Sequence, residues 1–183
     1  MVRVLLERNY NPPLTPQPMT AEYWIRRHES YESCLQARDI KGIGSFVALD
    51  GTRSICVLEA SYAQAVREAT REAKVAFKRV WRAEVSSRFT DEKEMTCSDP
   101  VVAEVSYNPP LTKEQWEQFQ QKFQPNWQGL EVRHLVSYLA STGEHGVDIF
   151  AAPNAKTICN LYRKLGLVFD FVWESRLLLE VSD

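Results

Sequence analysis

Histidine is scarce in this chain: three in 183 residues, at positions 28, 134 and 145. None are spaced as HxH or HExxH, the patterns that put two imidazoles on one strand or helix face, so no close metal-ligand spacing is present. The four cysteines, Cys34, Cys56, Cys97 and Cys159, lack CxxC or zinc-knuckle spacing and read as reduced thiols. No apolar run approaches the ~18 residues that a bilayer span requires. Residues 1–8 are too short and too charged for a signal peptide, and Pro12-Pro13 soon follows, so a cytoplasmic protein is expected. Neither sign of charge dominates. The 22 basic and 24 acidic residues leave a net charge of −2, which lacks the basic footprint of a nucleic-acid or anionic-membrane binder. GxSxG, Walker-type and GxGxxG motifs are absent, leaving hydrolase, phosphotransferase and dinucleotide readings without support. The stretch from Lys41 to Val47 superficially matches an RNA-recognition submotif, but it lacks the stacking aromatic after Gly42.

What is present is an ordinary globular composition, 44% apolar and 25% charged, organised by an internal repeat. Tyr10-Asn11-Pro12-Pro13-Leu14-Thr15 recurs as Tyr107-Asn108-Pro109-Pro110-Leu111-Thr112, an offset of 97, and Glu7 falls on Glu104. The offset then becomes 92. Thr20, Glu22 and Trp24 match Thr112, Glu114 and Trp116; Ser45 matches Ser137; Gly51 matches Gly143; Arg71 matches Arg163; Phe77, Val80 and Trp81 match Phe169, Val172 and Trp173. A five-residue insertion in the first copy, near residues 16–19, accounts for the shift.

Each copy reads as strand, helix, strand, strand, helix, strand. Residues 2–8 and 101–106 are β-branched-rich and alternate, and the Asn-Pro-Pro turn that follows cannot continue a ladder because proline has no donor. Thr112 with Gln115 forms a capping box for a helix burying Trp116, Phe119 and Phe123; its counterpart from Thr20 carries Trp24, Tyr31 and Leu35. Hairpins are predicted at 43–59 around Asp50-Gly51 and at 135–151 around Thr142-Gly143. Ser61 with Gln64 is expected to cap a second helix bearing Val66, Ala69 and Ala73, repeated by Ile158, Leu161 and Leu165 with Gly166 as its stop. Final strands follow at 80–85 and 172–181. Such a βαββαβ unit makes a four-stranded antiparallel sheet with both helices on one face, the ferredoxin-like plan. Two joined units can cover their bare faces by packing together. The expected fold is therefore α+β, tandem ferredoxin-like repeats packed sheet-to-sheet, with 1–86 the first repeat, 87–100 a linker and 101–183 the second.

The run Val4-Leu5-Leu6-Glu7-Arg8, the strand Ser45-Phe46-Val47, and Asp50-Gly51-x-Arg53-x-x-Cys56-Val57-x-Glu59-Ala60 resemble a small bacterial family of nickel-binding, nickel-responsive domains. Ala65-Val66-Arg67-Glu68-Ala69 and Phe77-Lys78-Arg79-Val80-Trp81 extend the resemblance over the first copy; Ser137-Tyr138, Phe169 and Val172-Trp173 carry it more weakly into the second. In the second copy Asp148 stands at the Cys56 position and Ala151 at the Glu59 position. Members of that family dimerise as an α/β barrel, so the resemblance implies an intramolecular dimeric α/β barrel here, with nickel or another divalent metal as the ion to test.

Alternation sorts the strand residues into faces. Ile55 and Val57, with Val147 and Ile149, form the more apolar face and are expected to meet the helices, so Cys56 and Asp148 would point toward the other copy. Glu7 and Glu104 lie opposite Val4, Leu6, Ala103 and Val105 and face the same inter-repeat cleft, where Gly44, Phe46, His134, Tyr138, Trp81 and Trp173 join them. Such a cleft could hold a divalent metal on His134, Glu7, Glu104 and Asp148. It could equally host proton transfer between a glutamate and His134. The plainer readings pair Glu7 and Glu104 with Arg3, Arg79 or Arg82, and make Cys56 a small buried hydrophobe and the two tryptophans core residues. His28 lies on the Trp24 and Tyr31 side of its helix and reads as packed and hydrogen-bonded. His145 beside Glu144 is a surface alternative for a metal. The leading expectation is a small-ligand or divalent-metal (nickel) binding protein using that cleft. The alternatives are an enzyme without an organic cofactor, of cyclase, isomerase or monooxygenase type, and a structural or interaction protein. Expected partners are a small molecule or metal ion, not nucleic acid or membrane, with the chain a pseudo-two-fold monomer or a weak homo-oligomer.

Overall fold

The computed structural model describes residues 1–86, 99–123 and 131–178, without the side chains of residues 122 and 123. In chain order the elements are β1 (Val2–Asn9), α1 (Ala21–Gln36), β2 (Lys41–Ala48), β3 (Arg53–Ala60), α2 (Ala63–Glu72) and β4 (Arg79–Ser86). The same order returns as β5 (Val101–Ser106), α3 (Lys113–Phe123), β6 (Arg133–Ala140), β7 (His145–Ala151), α4 (Ala155–Lys164) and β8 (Phe171–Leu178). The chain divides into two compact units, Met1–Ala83 with Arg176–Asp183, and Glu84–Ser175. Most of the linker expected at 87–100, the side chain of Phe123 and the end of the strand expected at 172–181 lie outside the described residues.

Local sequence accounts for the helices. Thr20 Oγ1 accepts from the Tyr23 amide, and α1 buries Trp24, Tyr31 and Leu35 on one face. At α3 the capping box is reciprocal: Thr112 N donates to Gln115 Oε1 at 2.9 Å and Gln115 N to Thr112 Oγ1 at 3.2 Å. Asn154 Oδ1 caps α4 through Thr157 N at 3.0 Å. Helix α2 starts after Tyr62, which makes no side-chain cap bond, rather than at the Ser61 cap expected.

The repeated Tyr-Asn-Pro-Pro-Leu-Thr run has a physical job in each unit. Its chain folds back onto the hairpin turn, with Tyr10 N donating to Thr52 O and Leu14 N to Gly51 O, both at 2.8 Å. In the second unit Tyr107 N donates to Glu144 O at 2.8 Å and Leu111 N to Gly143 O at 2.9 Å. Gly51 (φ 70°) and Gly143 (φ 74°) adopt the left-handed conformation, and a Cβ on either would overlap the docked leucine backbone.

In the first unit β1 pairs antiparallel with β3 and β4, and β3 with β2. Val4, Leu6, Cys56, Leu58 and Val80 pack with Trp24, Tyr31, Val66 and Ala69 of the helices. In the second unit β5 pairs with β7 and β8, and β7 with β6. There Val101, Ala103, Val105 and Phe150 pack with Ile158, Leu161 and Tyr162 of α4.

The expectation of two separate ferredoxin-like sheets packed face to face is corrected by the strand order. Hydrogen-bonded neighbours run β1-β3-β2-β8-β5-β7-β6-β4 and close as an eight-stranded antiparallel barrel. Closing one sheet on itself pairs the edge strands that two separate sheets would leave with unpaired N–H and C=O groups. Among the described residues no helix is long and apolar enough to cross a membrane.

Candidate functional site

Each unit carries a polar cluster between its sheet and its helices. In the first unit β1 alternates, so Arg8 shares the helix-facing side with Val4 and Leu6, and it is 2% exposed. Arg8 Nη1 donates to His28 Nε2 at 2.7 Å, and His28 Nδ1 donates to the Trp24 carbonyl at 2.8 Å. An arginine cannot accept, so Nε2 is the unprotonated nitrogen and the imidazole is neutral. The guanidinium lies 4.9 Å from the centre of the Tyr31 ring, whose hydroxyl bonds Thr70 Oγ1 at 3.0 Å. Tyr10, from the repeated turn, bonds Ser54 Oγ at 2.8 Å. Among the described residues, Arg8 Nε and Nη2 and the hydroxyl of Ser45 are buried without a hydrogen-bond partner. Burial works against the Arg8 charge, but Cys56, Tyr10 and Tyr31 around it raise its pKa nonetheless.

Burial, then the Arg8 guanidinium, lowers the His28 pKa from 6.5 to about 4. The unfolded chain takes up this proton as pH falls below about 6.5 while the folded chain does not until about 4. Stability is therefore lost across that window, by about 2 kcal/mol at pH 5 relative to neutral pH. His28→Gln keeps an acceptor for Arg8 but cannot be protonated. Urea unfolding at pH 8 and pH 5 should show the native chain losing about 2 kcal/mol more than this variant; equal losses would remove His28 as the cause.

In the second unit the cluster centres on Asp148, 5% exposed. Its Oδ2 accepts from Tyr162 OH at 2.6 Å; its Oδ1 accepts from Ser137 Oγ and from Gln120 Nε2 at 3.3 Å. Gln120 Nε2 also reaches Ser137 Oγ at 3.1 Å. The Ser137 proton goes to Asp148, so His134 Nε2, 2.6 Å from Ser137 Oγ, is a donor. Serine, histidine and aspartate are thus joined in the wrong sense for nucleophilic catalysis, which needs the imidazole to take the hydroxyl proton. Burial and the Asp148 charge both raise the pKa of Tyr162 and of Tyr107. A cavity of about 10 Å³ beside Asp148, Gln120, Phe150 and Tyr162 has room for one water.

The sequence-derived candidates separate. Glu7, Phe46 and Trp81 lie on the face of the first unit's strands away from its helices, where Trp81 Nε1 donates to Glu7 Oε1 at 2.6 Å. Lys78 Nζ and Arg79 Nε each stand 3.4 Å from Glu7 Oε2. Glu104, Tyr138 and Trp173 occupy the matching face in the second unit, with Trp173 Nε1 donating to Glu104 Oε1 at 2.8 Å. Cys56 and Asp148 face their own helices, not away from them as expected. Register shows why: Cys56 pairs with Leu6 and Asp148 with Ala103, both helix-facing. His134 parts from Tyr138 because a bulge between His134 and Val136 shifts the parity and turns the imidazole to Ser137 and Asp148. Of the metal set, Glu7 belongs to the first unit and His134, Glu104 and Asp148 to the second, where His134 and Asp148 face the helices and Glu104 does not. Among the described residues no group of three His, Cys, Asp or Glu side chains is placed to hold a metal ion. Glu144 is exposed, takes a 3.3 Å bond from Thr142 Oγ1, and neighbours the half-buried His145 at the start of β7. Arg8, Ser45, Gln120, Ser137 and Tyr162 were not singled out from sequence. The alternation of Val4, Leu6 and Arg8 was the signal that could have found the first.

No family model matches the chain, and no curated protein matches it. Among solved structures, a candidate chlorite dismutase matches at 10% identity and a TM-score of 0.50, covering 97% of this chain and 94% of that one. A mutant chlorite dismutase from Candidatus Nitrospira defluvii matches at 9% identity and a TM-score of 0.48, covering 95% and 90%. A candidate monooxygenase from Lactobacillus acidophilus matches at 11% and 0.44, covering 98% and 97%. The first of these likenesses is one of fold, and it extends over nearly the whole chain.

Proposed function

We propose that this chain is a small-ligand-binding protein whose first unit takes a small anion between its sheet and the helices α1 and α2. One observation carries the reading: Arg8 is 2% exposed, and among the described residues its Nε and Nη2 have no hydrogen-bond partner, while Nη1 is bonded to the neutral His28. A buried guanidinium without a carboxylate costs several kcal/mol, a penalty that an anionic ligand would offset. Binding fits better than catalysis, since both nitrogens of His28, the base nearest Arg8, are engaged. Nickel, the ion favoured by the family resemblance, is a poorer occupant because a guanidinium repels a divalent cation.

Calorimetric titration with nitrate, acetate and phosphate tests the reading. The native chain should bind at least one of them saturably. Arg8→Leu, shown folded by cooperative melting, should weaken that binding about 10- to 100-fold, the worth of one charge-assisted contact. Saturable binding that survives the substitution, or none to the native chain, would sink the proposal.

A further inference from the structure

The orphaned atoms of the first unit have a shape. Nε and Nη2 of Arg8 form one edge of the guanidinium, with two N–H bonds running parallel, whereas Nη1 at the other corner is spent on His28. That edge matches a planar group with two oxygens. Ser45, 0% exposed, holds a further unused hydroxyl and is the cross-strand partner of Cys56, which in turn neighbours Leu6.

The second unit shows what such a cluster looks like when filled. At the offset of 92, Ser45 corresponds to Ser137, His28 to Gln120, Thr70 to Tyr162 and Cys56 to Asp148. There Ser137, Gln120 and Tyr162 converge on one carboxylate, which the chain itself supplies. In the first unit the same position carries a thiol, and Arg8 appears where the second unit has Val105. Donors are present and the carboxylate is missing.

Building on the anion-binding reading above, we infer that the first unit binds a small monocarboxylate, its two oxygens on Arg8 Nε and Nη2 and its carboxylate in the role that Asp148 plays in the second unit. One guanidinium faces one negative charge. Phosphate carries more than one negative charge at neutral pH and needs more cationic or donor groups than this cluster offers. Leu6, Leu58, Trp24 and Val66 pack with Cys56 in the core of this unit, so a ligand on Arg8 is bounded by apolar side chains and must be small. Half-buried His28, bonded to Arg8, is the more exposed of the two.

The test is calorimetric titration of the intact chain at pH 7.5 with acetate, propionate and butyrate, beside propionamide and inorganic phosphate. A carboxylate should bind saturably and propionamide should not. Arg8→Lys keeps the charge but loses the two-donor edge, and should weaken binding about 10- to 100-fold. Cys56→Asp supplies the carboxylate internally; it should abolish carboxylate binding while melting at or above the native temperature. Should that variant fail to fold, Arg8→Lys decides alone. Saturable phosphate binding without carboxylate binding would overturn the carboxylate assignment and leave the anion-binding reading standing. No anion binding at all would overturn both. Carboxylate binding indifferent to Arg8→Lys would overturn the site.

Discussion

Asp148→Ala is expected to destabilise the chain by about 2–4 kcal/mol, because it strands the buried hydroxyls of Tyr162 and Ser137 and takes one of two acceptors from Gln120 Nε2. Tyr162 OH, Ser137 Oγ and Gln120 Nε2 all end on this carboxylate, and Ser137 is in turn the acceptor for His134. Leaving one such group unpaired costs about 1–3 kcal/mol; the sum is smaller than the separate penalties together because water can enter the adjoining cavity and take over part of the bonding. Urea unfolding measures it directly. A loss below about 1 kcal/mol would mean that the donors find other partners and that Asp148 does not organise this layer. Ser137→Ala removes one donor and one acceptor together and should cost less.

Gly143→Ala should cost a similar amount, about 2–4 kcal/mol, from two separable sources. The residue sits at φ 74°, where a side chain is strained, and its Cβ would overlap the Leu111 backbone docked on the turn. Gly166 isolates the first source. It has φ 67° with nothing within 4 Å of an added Cβ, so Gly166→Ala should cost only about 1 kcal/mol. Similar losses for both variants would show that docking of the Pro-Pro turn on the hairpin contributes little.

These turns were readable in advance because their chemistry is local. Two prolines stop a strand wherever they stand, a Thr with a Gln three residues on caps a helix, and Asp-Gly or Thr-Gly between apolar runs closes a hairpin. The facing of β3 and β7 was not readable in the same way. Their middle residues are buried on both sides, so Ile55 and Val57 look no different from Cys56 and Leu58, and alternation loses its meaning. At His134 the bulge adds a residue to β6, and every parity argument drawn through it is reversed.

The order of strands and helices, the Pro-Pro turns and the caps of α1 and α3 were thus determined by the amino-acid sequence itself, since each depends on neighbours within a few residues. Tertiary structure alone decided the order of the strands in the sheet and which face Cys56, His134 and Asp148 present. It also decided that Arg8 is buried on the helix-facing side of β1 with two of its three guanidinium nitrogens unpartnered among the described residues. Pairing and burial depend on residues distant in the chain, and a charge is costly or harmless according to what is packed against it.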